Sequence, residues 1–140
     1  MRSILFRGKR IDNCEWVNGY YVVLYDGKHN KHSYRIYTGF SEYDCGDYFP
    51  EFFEVDPNTI SQYTGSDDIK NAKIFCDDII KIKYPIHDEI GKVVYKWNGW
   101  YIEPQTKDLG TLSLSVVCSD HKVNIIGNMH DNPELLEARS

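Results

Sequence analysis

The side chains best suited to chemistry in this sequence are its five histidines, four cysteines and twenty-one carboxylates. Their spacing decides what they can do. His29 and His32 sit close enough to share a metal ion. However, they lie on a polar stretch beside Lys28 and Lys31, with no carboxylate spaced to complete a tetrahedral set, and read as a solvated loop. His87, His121 and His130 fall in separate turn segments and read as surface residues rather than general bases. Cys14, Cys45, Cys76 and Cys118 are scattered, with no pair at metal-knuckle or redox spacing, and are expected to be free thiols. The acidic pairs Asp67-Asp68 and Asp77-Asp78 invite a calcium reading. A calcium loop needs oxygen ligands at alternate positions and a glycine mid-loop, whereas Ile69 and Ala72, or Ile79 and Ile82, stand there instead. The pairs are read as turn-forming carboxylates. Neither Gly8-Lys9 nor Gly91-Lys92 completes a phosphate loop, and no serine or cysteine carries a nucleophile motif. The expectation is a protein that is not an enzyme, with no metal and no cofactor.

One cluster stands out for binding rather than reaction. Trp97, Trp100 and Tyr101 surround Asn98-Gly99, the strongest short hairpin signal, with Lys92 and Lys96 on the incoming strand. Aromatics at a hairpin tip can stack on a base or anchor a partner peptide. They can equally pack across the hairpin or into the core. With a turn at Asn98-Gly99, Trp97 and Trp100 flank the turn and pair, while Tyr101 faces the other side. These five residues form the candidate partner-binding set.

The elements that position them are expected to be strands. Eleven Tyr, six Phe and three Trp accompany many Val and Ile, whereas alanine occurs only at Ala72 and Ala138. The chain has 140 residues, enough for one hydrophobic core, and no compositional break divides it, so one domain over residues 1–140 is expected. The net charge of −5 argues against broad binding to nucleic acid, which relies on neutralising phosphates. No stretch approaches the roughly 20 apolar residues of a membrane helix, and the start lacks a signal-peptide run, so the expected location is the cytoplasm.

Extended segments are expected over 3–7, 15–17, 20–25, 34–37 and 51–55, with turns at Asp12-Asn13 and Asn18-Gly19. Residues 38–50, rich in alternating aromatic and acidic side chains, read as a long surface loop. Asp56-Pro57 marks a single helical turn. Ile80, Ile82 and Tyr84 alternate with Lys81 and Lys83 as a strand with one wet face, and residues 85–91 form its loop. Leu112, Leu114 and Val116 predict a further strand, residues 123–126 another, and Asn132-Pro133 a final short helix through Ala138. Many short strands joined by tight turns suit a small barrel or a pair of packed sheets.

Five blocks then carry a family resemblance. They are Ile4-Leu-Phe-Arg-Gly-Lys9 with Glu15-Trp-Val-x-Gly19, Val55-Asp-Pro57 with Gln62-Tyr-Thr-Gly65, Ile74-Phe-x-x-Asp-Ile-Ile-Lys81, Ile125-Ile-Gly-Asn128, and Asn132-Pro-Glu-Leu-Leu136. In order and spacing the chain resembles the YopX family of bacteriophage and prophage proteins. The resemblance implies a mainly β fold: a small SH3-like barrel with an N-terminal β elaboration and two short helices. It implies no characterised activity. Two departures concern turn glycines: Asp77 stands where the family phrase has glycine, and Cys14 replaces another. A glycine at position 77 would permit positive φ in the turn, which Asp tolerates at a cost of roughly 1 kcal/mol, and both departures are consistent with the fold. The functional expectation is an accessory protein that binds a host or phage protein. The alternative is a nucleic-acid-binding barrel using Trp97, Trp100, Lys92 and Lys96, and self-association is compatible with either.

Overall fold

The computed structural model describes residues 4–42 and 48–137, with only the backbone for 40–42 and 48–49. The chain forms two compact units, residues 1–62 and 63–140. Both are mainly β, and every strand pairing is antiparallel.

The first unit is built on a meander of β1 (Phe6–Lys9), β2 (Trp16–Asp26), β3 (Lys31–Glu42) and β4 (Tyr48–Glu54). Its order is β4-β3-β2-β1, and the first two residues of β5 (Ser61–Asp67) pair on the far side of β1. Ile36 and Val55 are fully buried here. The turn between β1 and β2 places Cys14 at φ 61°. Asp56 caps the 3-10 turn Pro57–Thr59 by accepting the Asn58 N–H. The buried Thr59 hydroxyl accepts the Lys9 N–H at 2.8 Å and donates to the Asp56 carbonyl at 2.6 Å, tying that turn to β1.

Two expectations fail in this unit. Asn18-Gly19 is not a turn but the interior of β2. A Cβ on Gly19 would stand 2.1 Å from the Tyr37 carbonyl oxygen, so glycine is there to let β3 approach. Residues 38–42 and 48–50 are not loop but strand, with a bulge between Tyr37 and Gly39. Alternating aromatic and polar residues can cover a two-sided sheet as readily as a loop. Residues 43–47, the rest of that expected loop, lie outside the described residues.

In the second unit β6 (Lys73–Phe75) pairs with the remainder of β5. Five further strands follow: β7 (Asp78–Lys83), β8 (Asp88–Lys96), β9 (Gly99–Pro104), β10 (Leu112–Ser113) and β11 (Lys122–Asn128). They form a sheet in the order β10-β9-β8-β7-β11. The core joins Ile74, Ile80, Ile82, Val93, Ile102, Leu114, Val117 and Val123. Asp77 adopts φ 68°, and its N–H donates to the Val93 carbonyl, so aspartate fills the glycine position without a break in pairing. Strand β8 begins at Asp88, inside the expected loop 85–91.

The strand expected through Val116 ends at Ser113. Leu114–Asp120 is a helix, α1. Its buried residues Leu114 and Val117 are three apart, a helical spacing, while Val116 is 56% exposed. The last helix is a 3-10 turn, Pro133–Leu136; Asn132 does not cap it with its side chain but accepts the Asn128 N–H. No strand pairing among the described residues closes either sheet into a ring. No described helix is long and apolar enough to cross a membrane.

Candidate functional site

The β8–β9 hairpin turns one residue earlier than Asn98-Gly99 suggests. Lys96 pairs with Gly99, and Trp97 and Asn98 are the two turn residues, at φ 52° and 59°. Both positive values fit the tight turn that matches strand twist. The register is set deeper in the sheet. It pairs Val93 with Ile102, both fully buried, and lets Ile102 cover Gly91, where an added Cβ would stand 2.6 Å from Ile102 Cγ2. A turn at Asn98-Gly99 would slide one strand by two residues and set Ile102 opposite the exposed Tyr95 instead.

This register separates the five candidate residues. Trp100 is opposite Tyr95, with ring centroids 4.9 Å apart, and packs against the core cluster. Trp97, 69% exposed, meets Tyr101 edge-on at 5.4 Å, so the expected Trp97–Trp100 pair does not form. Lys96 lies over the Trp97 ring at 4.5 Å and bridges to Glu103 at 3.2 Å. Lys92 is half-buried opposite the same Glu103. The tip therefore holds Trp97, Tyr101 and Lys96 together and neutralises much of its positive charge, with Trp100 turned away.

A larger aromatic surface lies in the first unit. Tyr20, Tyr37 and Phe52 stand side by side across β2, β3 and β4, with centroid distances of 6.4 and 5.1 Å. Below that row the same face carries Val22, Arg35 and Glu54, then Leu24 and Ser33. On the opposite face Tyr25, His32 and Tyr34 form a second row at 4.9 and 6.3 Å. His32 is thus part of an aromatic ladder. His29 pairs with Asp26 at 2.6 Å, and this hydrogen bond holds the Asp26 carboxyl below its usual range.

The edge of this arm is its most distinctive feature. Along β2, strand β1 pairs with residues 16–19 and no further. From Tyr20 to Asp26, β2 has β3 on one side and, among the described residues, no strand on the other. That edge reads Tyr-Tyr-Val-Val-Leu-Tyr-Asp, and Tyr20, Val23, Leu24 and Tyr25 are each 44–58% exposed. The sequence signal was a strand too apolar for one wet face, but a run of that kind usually marks a buried strand.

Residues 5–137 match the family model for the YopX protein. The chain belongs to the YopX family. A solved structure similar to this YopX chain is protein EF1440 from Enterococcus faecalis. It is 25% identical, with a TM-score of 0.59, over 98% of this chain and all of that one. No curated protein matches the chain.

The acidic pairs of this YopX chain do structural work. Asp68 is buried; one carboxylate oxygen accepts the N–H groups of Lys70 and Ala72 at 2.9 Å, and the other accepts that of Ile125 at 3.3 Å. Asp67 accepts the Tyr63 hydroxyl. Asp78, also buried, accepts the Phe75 N–H at 2.8 Å and closes the turn that Asp77 bends. Buried Glu89, which no sequence motif marks, takes both the N–H and the hydroxyl of Thr106 at 3.0 Å. Burial, with Asp67 and Asp68 nearby, pushes the Cys118 thiol up, toward its unreactive protonated form. Among the described residues no group of three or more His, Cys, Asp or Glu side chains is placed to hold a metal ion.

Proposed function

We propose that this YopX-family protein is a non-catalytic recognition module, carried by a phage or prophage and acting in the bacterial cytoplasm. It binds a host or phage protein by accepting an extended segment against residues 20–26 of β2. The open edge carries this reading. Sheet edges are normally blunted by charge, proline or a cover, because their free N–H and C=O groups recruit other strands. In this unit β4 follows the rule, with Pro50, Glu51 and Glu54 on its outer strand. The β2 edge carries no proline and no charge before Asp26. A partner strand added there gains main-chain hydrogen bonds, while Tyr20 and Leu24 on one face and Val23 and Tyr25 on the other select its side chains.

The second unit supports the SH3-like reading. Counted from β7, its order is 5-1-2-3-4 with a helix before the fifth strand, the order of small SH3-like barrels. Nucleic-acid binding at the hairpin tip is less well supported, because Trp100 packs inward and Lys96 is paired with Glu103.

The test is photo-crosslinking in host cells from a benzoylphenylalanine placed at position 23 or, in parallel, at 97. The reading expects a discrete adduct from position 23, mapping to an extended segment of one protein. It expects that adduct to disappear when Leu24 and Tyr20 are both changed to lysine. Adducts from position 97 alone, or a position-23 adduct indifferent to the two lysines, would refute it.

A further inference from the structure

The second unit carries a cleft that the docking edge does not use. Two chain reversals build it: the turn after β7, with Lys83, Tyr84 and Pro85, and the junction of α1 with β11, with Asp120, His121 and Lys122. Its volume is about 420 Å³, in a shallow depression open to solvent. The Tyr84 N–H donates to the His87 carbonyl at 3.0 Å, closing the first reversal, and the His121 N–H donates to Val117, closing the second.

Its aromatic wall is Tyr84, half-buried against the core cluster. The His121 ring meets it edge-on at 4.5 Å, and the His87 ring stacks on it at 5.7 Å. Its charges are placed against intrinsic preference. Lys83 and Lys122 are direct partners across the β7–β11 ladder, and like charges directly opposite destabilise a sheet. Both are exposed, and among the described residues neither forms an ion pair, although Asp88 is the register partner of Lys83 on its other side. An anion between the two lysines would remove that repulsion. Asp120 lines the same cleft, so a bare anion meets repulsion there, which a ligand that also offers hydrogen-bond donors to the carboxylate offsets in part.

We propose that this cleft binds a mononucleotide, its phosphate held by Lys83 and Lys122 and its base against Tyr84 and His121. The Asp120 carboxylate accepts hydrogen bonds from the sugar or base. Aromatic stacking and phosphate neutralisation are separate contributions, so the whole ligand must bind better than either half. The site is independent of the β2 edge and shares no residue with it.

The test is a ¹⁵N–¹H titration of the full chain with adenosine 5′-monophosphate, adenosine and inorganic phosphate. The nucleotide is expected to move the amides of residues 83, 84 and 120–122 and to bind at least about ten-fold more tightly than either fragment. Lys83→Ala and Lys122→Ala are each expected to weaken it about five-fold, with spectra unchanged away from the cleft. Asp120→Asn is expected to tighten inorganic phosphate. No shift at millimolar nucleotide, shifts elsewhere, or phosphate binding as well as the nucleotide would overturn the assignment. The comparison of the three ligands on the unmodified chain decides the matter even if a variant misfolds.

Discussion

Replacing Gly19 by alanine separates two physical accounts of one residue. If Asn18-Gly19 were a turn, alanine would cost about 1 kcal/mol for an unfavourable φ. The structure instead puts Gly19 inside β2, where a Cβ would lie 2.1 Å from the Tyr37 carbonyl oxygen, 3.0 Å from its carbon and 3.3 Å from Ile36 Cγ2. The obstacle at 2.1 Å is backbone, so no rotamer change relieves it. Restoring contact distance requires β2 and β3 to part by about 1 Å, which strains the packing and weakens ladder hydrogen bonds on either side. Overpacking at about 1–3 kcal/mol plus one or two bonds at about 1 kcal/mol each gives about 2–5 kcal/mol. Gly27, at the end of the same arm, is the internal control. The nearest atom to a Cβ there is Tyr25 Cε1 at 3.7 Å, so Gly27→Ala is expected to change stability by less than about 1 kcal/mol. Urea unfolding followed by circular dichroism reads both. A loss of 1 kcal/mol or less for Gly19→Ala, or equal losses at the two sites, would refute the close-approach account.

Other expectations follow from the same structure. Asp68→Ala strips three backbone N–H groups of their acceptor and is expected to cost about 3 kcal/mol in urea unfolding, with Asp68→Asn recovering part of it. Trp100→Ala, which opens the edge of the core, is expected to cost about 3 kcal/mol, whereas Trp97→Asn is expected to stay within about 1 kcal/mol, because asparagine tolerates φ 52°. Burial first, then the hydrogen bond to Asp67 and its charge, push the Tyr63 hydroxyl up to about 12. A folded value above the ordinary 10 means that its stabilisation is full below pH 10 and is lost as pH rises through 12. The stability difference between the unmodified chain and Tyr63→Phe should therefore shrink over that window and stay constant below it. Exposed Cys14 should react with a thiol reagent at pH 8 at least about ten-fold faster than Cys118, measured by peptide mapping.

Local demands of the chain were legible from residue type. The aromatic and β-branched composition announced a β protein, and Asp56-Pro57 announced its capped turn. Each of these depends on the residue and its immediate neighbours, which is why sequence suffices. Asp68 and Asp78 were likewise readable as turn formers, since backbone partners lie close along the chain, although Asp68 also accepts the distant Ile125 N–H.

What depended on a distant strand was not legible. The role of Gly19 is set by the Tyr37 carbonyl on β3, and the turn at Trp97-Asn98 by Val93 and Ile102 sharing a core. Leu112, Leu114 and Val116 fit a strand, but Leu114 and Val117 fit a helix, and only the core they enter chose between them. The open edge of β2 exists because β1 stops pairing at Gly19, and the cleft beside Tyr84 because two reversals meet. Sequence alone determined backbone preference and polarity, which are properties of single residues. Register, exposure and the meeting of remote side chains were decided by tertiary structure, because burial energy belongs to the whole core rather than to any one segment.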